Sequence, residues 1–144
     1  MSDAQALAEA CADAMWAEDR ASQSLGMAIE AVGPGHARLT MRVTEAMVNG
    51  HGLCHGGFIF TLADSAMAFA GNSRGERTVA QQGAITYLRP ARLGDRLTAG
   101  ASERASEGRT AIYDVRVTTE DGAIVAEMRG HTRTLGRKFF DAGE

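Results

Sequence analysis

With 144 residues, 44% apolar and 23% charged side chains, the chain is long enough for one hydrophobic core and too mixed for a disordered or fibrous protein. A net charge of −3 with no basic stripe excludes a nucleic-acid surface, and no run of 18 apolar residues is present to span a membrane. Two cysteines, Cys11 and Cys54, are too few for a disulfide framework, and the opening Met-Ser-Asp-Ala-Gln lacks the basic and apolar regions of a leader, so a cytoplasmic protein is expected.

In chain order, Ser2 and Gln5 have the spacing of a capping box, and Leu7, Cys11, Ala14, Met15 and Trp16 recur at near-helical spacing. This predicts a helix over 4–18, broken at Ser22–Gly26. The apolar run Met27–Val32, a turn at Gly33-Pro34-Gly35, and the period-two alternation of Ala37, Leu39, Met41 and Val43 predict a hairpin. A glycine-rich loop from Asn49 then enters a helix starting near Gly56 and stopping at Gly71-Asn72. Four strands are expected after it, over 78–88, 96–106, 110–118 and 123–135, with an Asp121-Gly122 hairpin turn between the last two. The tail 136–144 shows no period and reads as loose. The order predicts an α+β domain in which a curved antiparallel sheet wraps one long central helix, with an extra N-terminal helix.

The central helix carries the most informative feature. One side presents Phe58, Ile59, Leu62, Met67, Phe69 and Ala70; the other presents Gly57, Thr61, Asp64 and Ala68. A lone carboxylate, Asp64, inside an otherwise Ala/Leu/Phe helix is costly to bury, and chemistry is the natural compensation. Asp64 also has a structural reading, as an acid bonded to a neighbouring loop. His55 could cap the helix start, and Asn49 could bond its own loop backbone. The His51, Cys54, His55 and Asp64 set lacks the second Cys/His pair of a zinc site, so no metal is expected. Cys54 beside His55 has no third group to orient it and reads as a buried structural thiol.

The segment His-Gly-Leu-Cys-His-Gly-Gly-Phe-Ile-Phe-Thr-Leu-Ala-Asp-Ser-Ala, residues 51–66, resembles the signature of the hotdog-fold thioesterases, above all their PaaI branch, the phenylacetate-pathway acyl-CoA thioesterases. Asn72-Ser73-Arg74-Gly75, Tyr87 to Asp95 and Tyr113-Asp114-Val115 extend the resemblance over roughly residues 20 to 135 of a single domain spanning 1–144. It implies a hotdog fold and hydrolysis of a small acyl-CoA with an aromatic, hydroxyphenylacetyl-type acyl group, needing no cofactor because coenzyme A belongs to the substrate. It gives Gly56 the oxyanion-binding role, Asp64 that of general base or nucleophile, and Asn49 and His55 the positioning of carbonyl or water. Arg89 and Gly57 are the candidate coenzyme A contacts, with Arg92, Arg137 and Lys138 as further phosphate candidates. The family's early Ser or Thr of the third strand is replaced here by Ala80, Gln81 and Gln82, leaving two glutamines as substitutes.

The chemistry agrees with the residues. Gly56 lies in the first helical turn, where N–H groups have no intrahelical partner and the dipole is positive, a setting for an oxyanion. Gly56 and Asp64 are eight residues apart, about 12 Å along one helix. No thioester carbon can lie within about 3 Å of both. Either one of them is not catalytic, or the site is built from two chains; the resemblance points to a homodimer with shared sites, doubled into a dimer of dimers. Two rival functions remain at this level, a hotdog-fold acyl-CoA hydratase or dehydratase and a non-catalytic acyl-CoA-binding protein.

Overall fold

The structure, a computed structural model, describes residues 3–140. Ser2 of the expected capping box and Asp141–Glu144 of the tail lie outside them. Helix α1 (Asp3–Glu18) and the short α2 (Arg20–Ser24) precede the hairpin β1 (Ala28–Gly33) and β2 (His36–Arg42). A single 3₁₀ turn (Glu45–Met47) leads to α3 (Gly56–Gly71), followed by β3 (Glu76–Tyr87), β4 (Arg96–Glu107), β5 (Thr110–Thr118) and β6 (Ile124–Lys138).

The six strands form one sheet in the order β1-β2-β4-β5-β6-β3, every neighbouring pair antiparallel. Alternation explains which face each strand buries. Leu39 and Met41 of β2, Leu97 and Ala99 of β4, Val115 and Val117 of β5 and Val125 of β6 are fully buried, as are Leu62, Met67 and Phe69 of α3. Each such large side chain contributes roughly 1.5–3 kcal/mol of burial. The sheet therefore wraps α3 as expected, and α1 closes one end, with Trp16 beside Phe69 at 6.3 Å between ring centroids.

Two expectations are corrected. Ser22–Gly26 is not simply a break, because Asp19 caps a short helix there: its Oδ1 accepts the Ser22 N–H at 3.0 Å, and the Ser22 hydroxyl bonds its Oδ2 at 2.7 Å and Ser65 of α3 at 2.8 Å. The chain beyond Gly136 is not loose as far as Lys138, which continues β6 opposite Glu76; the Phe139 N–H then bonds the Gly75 carbonyl at 2.8 Å. The first rests on a local cap three residues away, and the second on pairing between distant segments, which local periodicity does not record.

The placement of β3 matters most for function. Because α3 carries the chain from β2 across the sheet, β3 lands on the far edge, paired with β6 on one side and open on the other. It is twelve residues long and mostly exposed, with Val79 and Tyr87 each 47% accessible. A long edge strand with exposed apolar side chains is a template for pairing with another chain.

Candidate active site

The loop before α3 is held by backbone and by one side chain. Asn49 Oδ1 accepts the N–H groups of His51 and Leu53 at 2.9 and 3.2 Å, while the Asn49 N–H reaches the Leu53 carbonyl at 2.8 Å. The His55 and Cys54 N–H groups bond Met47 and Ala91, each at 2.8 Å, so the loop is tied to the segments on both sides. Asn49 therefore has the local backbone role weighed for it, with its side-chain NH₂ left over as a donor.

His55 is the N-cap of α3. Its Nδ1 accepts the Gly57 N–H at 3.0 Å. A nitrogen that accepts carries no proton, so the neutral ring holds its proton on Nε2, a donor on the opposite side. With the Gly57 N–H taken by the cap, the Gly56 N–H is the first-turn donor with no partner among the described residues. It lies at the positive end of a 16-residue helix. The identity of residue 56 has a steric cause as well: the Tyr87 hydroxyl donates to the Gly56 carbonyl at 2.8 Å, and a Cβ at 56 would stand 2.8 Å from the Tyr87 ring. Beside them opens a cavity of about 460 Å³ lined by Gly56, Ile59, Tyr87, Leu88, Arg89 and Pro90. This mostly apolar recess with a guanidinium at its rim has the character of a small-ligand site.

Asp64 lies two turns along the same helix. It is half-buried, and burial pushes its carboxyl above the usual carboxylate range. Among the described residues it makes no hydrogen bond and no ion pair, so the structural reading of an acid bonded to a loop does not apply to this chain alone. Its neighbours on the stripe are Gly57, Thr61 and Ala68, and Thr61 spends its hydroxyl on the Gly57 carbonyl at 2.8 Å. The open stripe is bounded on one side by Ser65, bonded to Ser22 of α2, and on the other by β3.

The structure thus gathers Asn49, His55, Gly56, Gly57 and Arg89 at one end of α3 and leaves Asp64 apart from them. Cys54 is 9% accessible, its thiol is pushed up to about 11 by burial, and its Sγ points to the His55 carbonyl at 3.6 Å. A protonated thiol beside a histidine whose Nδ1 is committed elsewhere is no nucleophile. Among the described residues no three His, Cys, Asp or Glu side chains cluster as metal ligands. Tyr87 was missed as a site residue by sequence reasoning, since its contact with Gly56 joins positions 31 residues apart.

The family model of the thioesterase superfamily matches residues 51–126. The acyl-coenzyme A thioesterase PaaI of Escherichia coli is 42% identical over 125 residues, covering 87% of this chain and 89% of that protein. The solved E. coli PaaI protein, from the phenylacetic acid degradation operon, superposes with a TM-score of 0.92 at 39% identity, covering 94% of this chain and 99% of that one. A Streptococcus mutans structure bound to acetyl CoA matches with a TM-score of 0.74 at 29% identity, covering 78% of this chain and 90% of that one. The chain therefore belongs to the thioesterase superfamily, a class of thioester hydrolases, and has the hotdog fold of its PaaI-type members.

Proposed function

We propose that this protein hydrolyses small, aromatic acyl-CoA thioesters in the cytoplasm, as a homodimer whose sites are shared between subunits and which pairs again into a dimer of dimers. The observation that carries the reading is the unpartnered Gly56 N–H at the positive end of α3, beside an apolar recess. The carbonyl oxygen of the thioester accepts from this N–H and from His55 Nε2–H, with the Asn49 amide beside them. Across a two-fold axis, antiparallel α3 helices set Gly56 of one subunit opposite Asp64 of the partner subunit. The open edge of β3 and its exposed Val79 favour that pairing.

In the reaction, water gives one proton to the Asp64 carboxylate as its oxygen bonds to the carbonyl carbon. The resulting oxyanion is held by Gly56, and collapse breaks the C–S bond to release coenzyme A as thiolate. A thiolate is a good leaving group, so no strong acid is required at the sulfur. Asp64 can alternatively attack the carbonyl itself and pass through an anhydride that water then opens. The raised pKa of Asp64 suits the base role, because a base works best near the operating pH. Arg89, at the rim of the recess, is placed for a phosphate of coenzyme A, and the small residues Gly57 and Ala68 leave room for a compact acyl group. The aromatic preference follows the likeness to a protein of the phenylacetic acid degradation operon.

The test is thiol release from a panel of aryl and aliphatic acyl-CoAs by the wild type and Asp64→Asn. Release fastest with phenylacetyl-type substrates and about 10²–10⁴-fold slower in Asp64→Asn is expected. Binding without thiol release, unchanged by the substitution, would sink the proposal. A single turnover in heavy-oxygen water tests the nucleophile role of Asp64: label in Asp64 marks an anhydride that water opened at the Asp64 carbonyl.

A further inference from the structure

The open stripe of α3 around Asp64 carries two hydroxyls, Thr61 and Ser65, and the hydrogen bonds behind them fix where their hydrogens point. Ser65 follows Thr61 by four residues, and Ala68 follows Asp64 by four and Ser65 by three, so these side chains adjoin on one surface. All four are half-buried, whereas Leu62, Ala63, Ala66 and Met67 on the other sides of the helix are buried. Ala68 contributes only a methyl group, which keeps the surface between Asp64 and Ser65 low.

Thr61 donates its hydrogen to the Gly57 carbonyl at 2.8 Å, back along its own helix. For Ser65 the direction follows from a chain of three groups. Its Oγ lies 2.8 Å from Ser22 Oγ, and Ser22 Oγ lies 2.7 Å from Asp19 Oδ2. A carboxylate only accepts, so the single hydrogen of Ser22 goes to Asp19, and that of Ser65 goes to Ser22. Asp19 is held in this duty as the cap of α2, because its Oδ1 accepts the Ser22 N–H at 3.0 Å. Ser22 is 1% accessible, which keeps water from breaking the chain.

Both hydroxyls therefore turn lone pairs, and no hydrogen, toward the stripe. The stripe holds no other side-chain donor: Gly57 and Ala68 have none, and the Asp64 carboxylate only accepts. A surface of acceptors favours a ligand that brings its own donor, and it leaves an ether oxygen facing other lone pairs. Neighbouring side chains on a helix surface stand about 5–6 Å apart, close to the reach from an acyl carbon across one methylene to a substituent on a phenyl ring. A thioester carbon beside Asp64 and a ring substituent beside Ser65 can thus belong to one molecule.

We infer that Ser65 reads the acyl group as an obligate acceptor, selecting one that donates a hydrogen bond, and that Asp19 and Ser22 set its polarity as positioning residues. This rests on the hydrolase reading given above. A ring hydroxyl donates to Ser65 Oγ, whereas a methoxy group has no hydrogen to give and brings its oxygen against that of Ser65. Asp19 and Ser22 need no contact with substrate, because they act by occupying the Ser65 hydrogen.

The experiment measures kcat/KM for thiol release from phenylacetyl-CoA and its meta-hydroxy and meta-methoxy derivatives, with the wild type, Ser65→Ala, Ser22→Ala and Asp19→Asn. The wild type is expected to favour the hydroxylated over the methoxylated substrate by about 3–10-fold, the worth of one hydrogen bond. Ser65→Ala should bring the hydroxylated substrate down to the level of phenylacetyl-CoA. Asp19→Asn keeps an oxygen for the Ser22 N–H but offers an NH₂ to Ser22 Oγ, which reverses the chain and turns the Ser65 hydrogen toward the stripe. In this variant and in Ser22→Ala the methoxylated substrate is expected to gain about threefold or more, with the hydroxylated one within about twofold of wild type. A hydroxy-to-methoxy ratio that stays constant in Ser65→Ala and Asp19→Asn overturns the role of Ser65 and leaves the hydrolase reading standing. A uniform fall over all three substrates marks a merely structural contact and overturns it equally. A wild type that releases no thiol from any of them overturns the hydrolase reading and this role with it. Should Ser22→Ala fail to fold, Asp19→Asn, which keeps every bond of the chain, decides.

Discussion

The two regions of α3 that the proposed reaction uses are built in opposite ways. At its N-terminal end His55 caps Gly57, Tyr87 holds the Gly56 carbonyl, and Asn49 ties the loop, which leaves the Gly56 N–H, the His55 Nε2–H and the Asn49 side-chain amide as donors without a partner among the described residues. At its middle, Asp64 has no polar partner among the described residues and is flanked by small side chains on an open stripe. The first region is a donor preorganised by hydrogen bonds, and the second is a half-buried carboxyl on an otherwise apolar helix. Oxyanion stabilisation depends on donors that do not reorganise, whereas a base gains from a raised pKa. One helix supplies both environments because its cap and its apolar body differ in solvation.

The contrast can be broken first at Asp64. Asp64→Asn is expected to reduce kcat by about 10²–10⁴-fold, the usual contribution of a general base. Its effect on stability should have the opposite sign. Burial raises the folded-state pKa of Asp64 above its unfolded value, so stability is fully present below the unfolded pKa and is lost as pH rises through the folded one. At neutral pH the asparagine variant should melt at a higher temperature than the wild type, and that difference should shrink toward pH 4 and below; scanning calorimetry against pH checks it. The same shift places the acid limb of wild-type kcat/KM above the ordinary aspartate value of about 3.9.

The donor end comes next. Gly56→Ala drives a methyl group into the Tyr87 ring and is expected to cost about 10²–10³-fold in kcat, as loss of one oxyanion donor does. Mixing this variant with Asp64→Asn after subunit exchange sharpens the comparison. Half of the dimers would be mixed and each would carry one intact site, so activity should return to about a quarter of wild type if the two regions meet across a two-fold axis. No recovery would mean that each subunit works alone or that one region is not catalytic.

Tyr87→Phe should have the smallest effect. It removes one hydrogen bond to the Gly56 carbonyl while keeping the ring, at a cost of about 1 kcal/mol. A kcat reduced less than about tenfold, with KM nearly unchanged, would fit an anchor that steadies the donor without touching substrate. A larger loss would make Tyr87 a direct participant.

Much of this was legible in the chain. The 3.6-residue pattern and the Gly71-Asn72 stop placed α3 within a residue, and period two in 37–43 and 110–118 placed two strands with the correct buried faces. The loop–helix signature pointed to the candidate site at the level of residue types, and the eight-residue spacing already set Gly56 and Asp64 apart. Less legible were the docking of α2 through Ser22 on Ser65, across 43 residues, and the end of β6, which pairs with Glu76. Neither partner is visible to a local window.

The sequence by itself determined α1, α3 and most of the strands, the acid on the open side of the helix and the glycine at its start, because these follow from periodicity, capping and the cost of burying a carboxylate. Only the tertiary structure decided that residue 56 must be glycine against Tyr87, that His55 offers Nε2–H, and that β3 lies at the open edge of the sheet. Those are matters of register between segments far apart in the chain, where a shift of one residue turns every side chain to the opposite face.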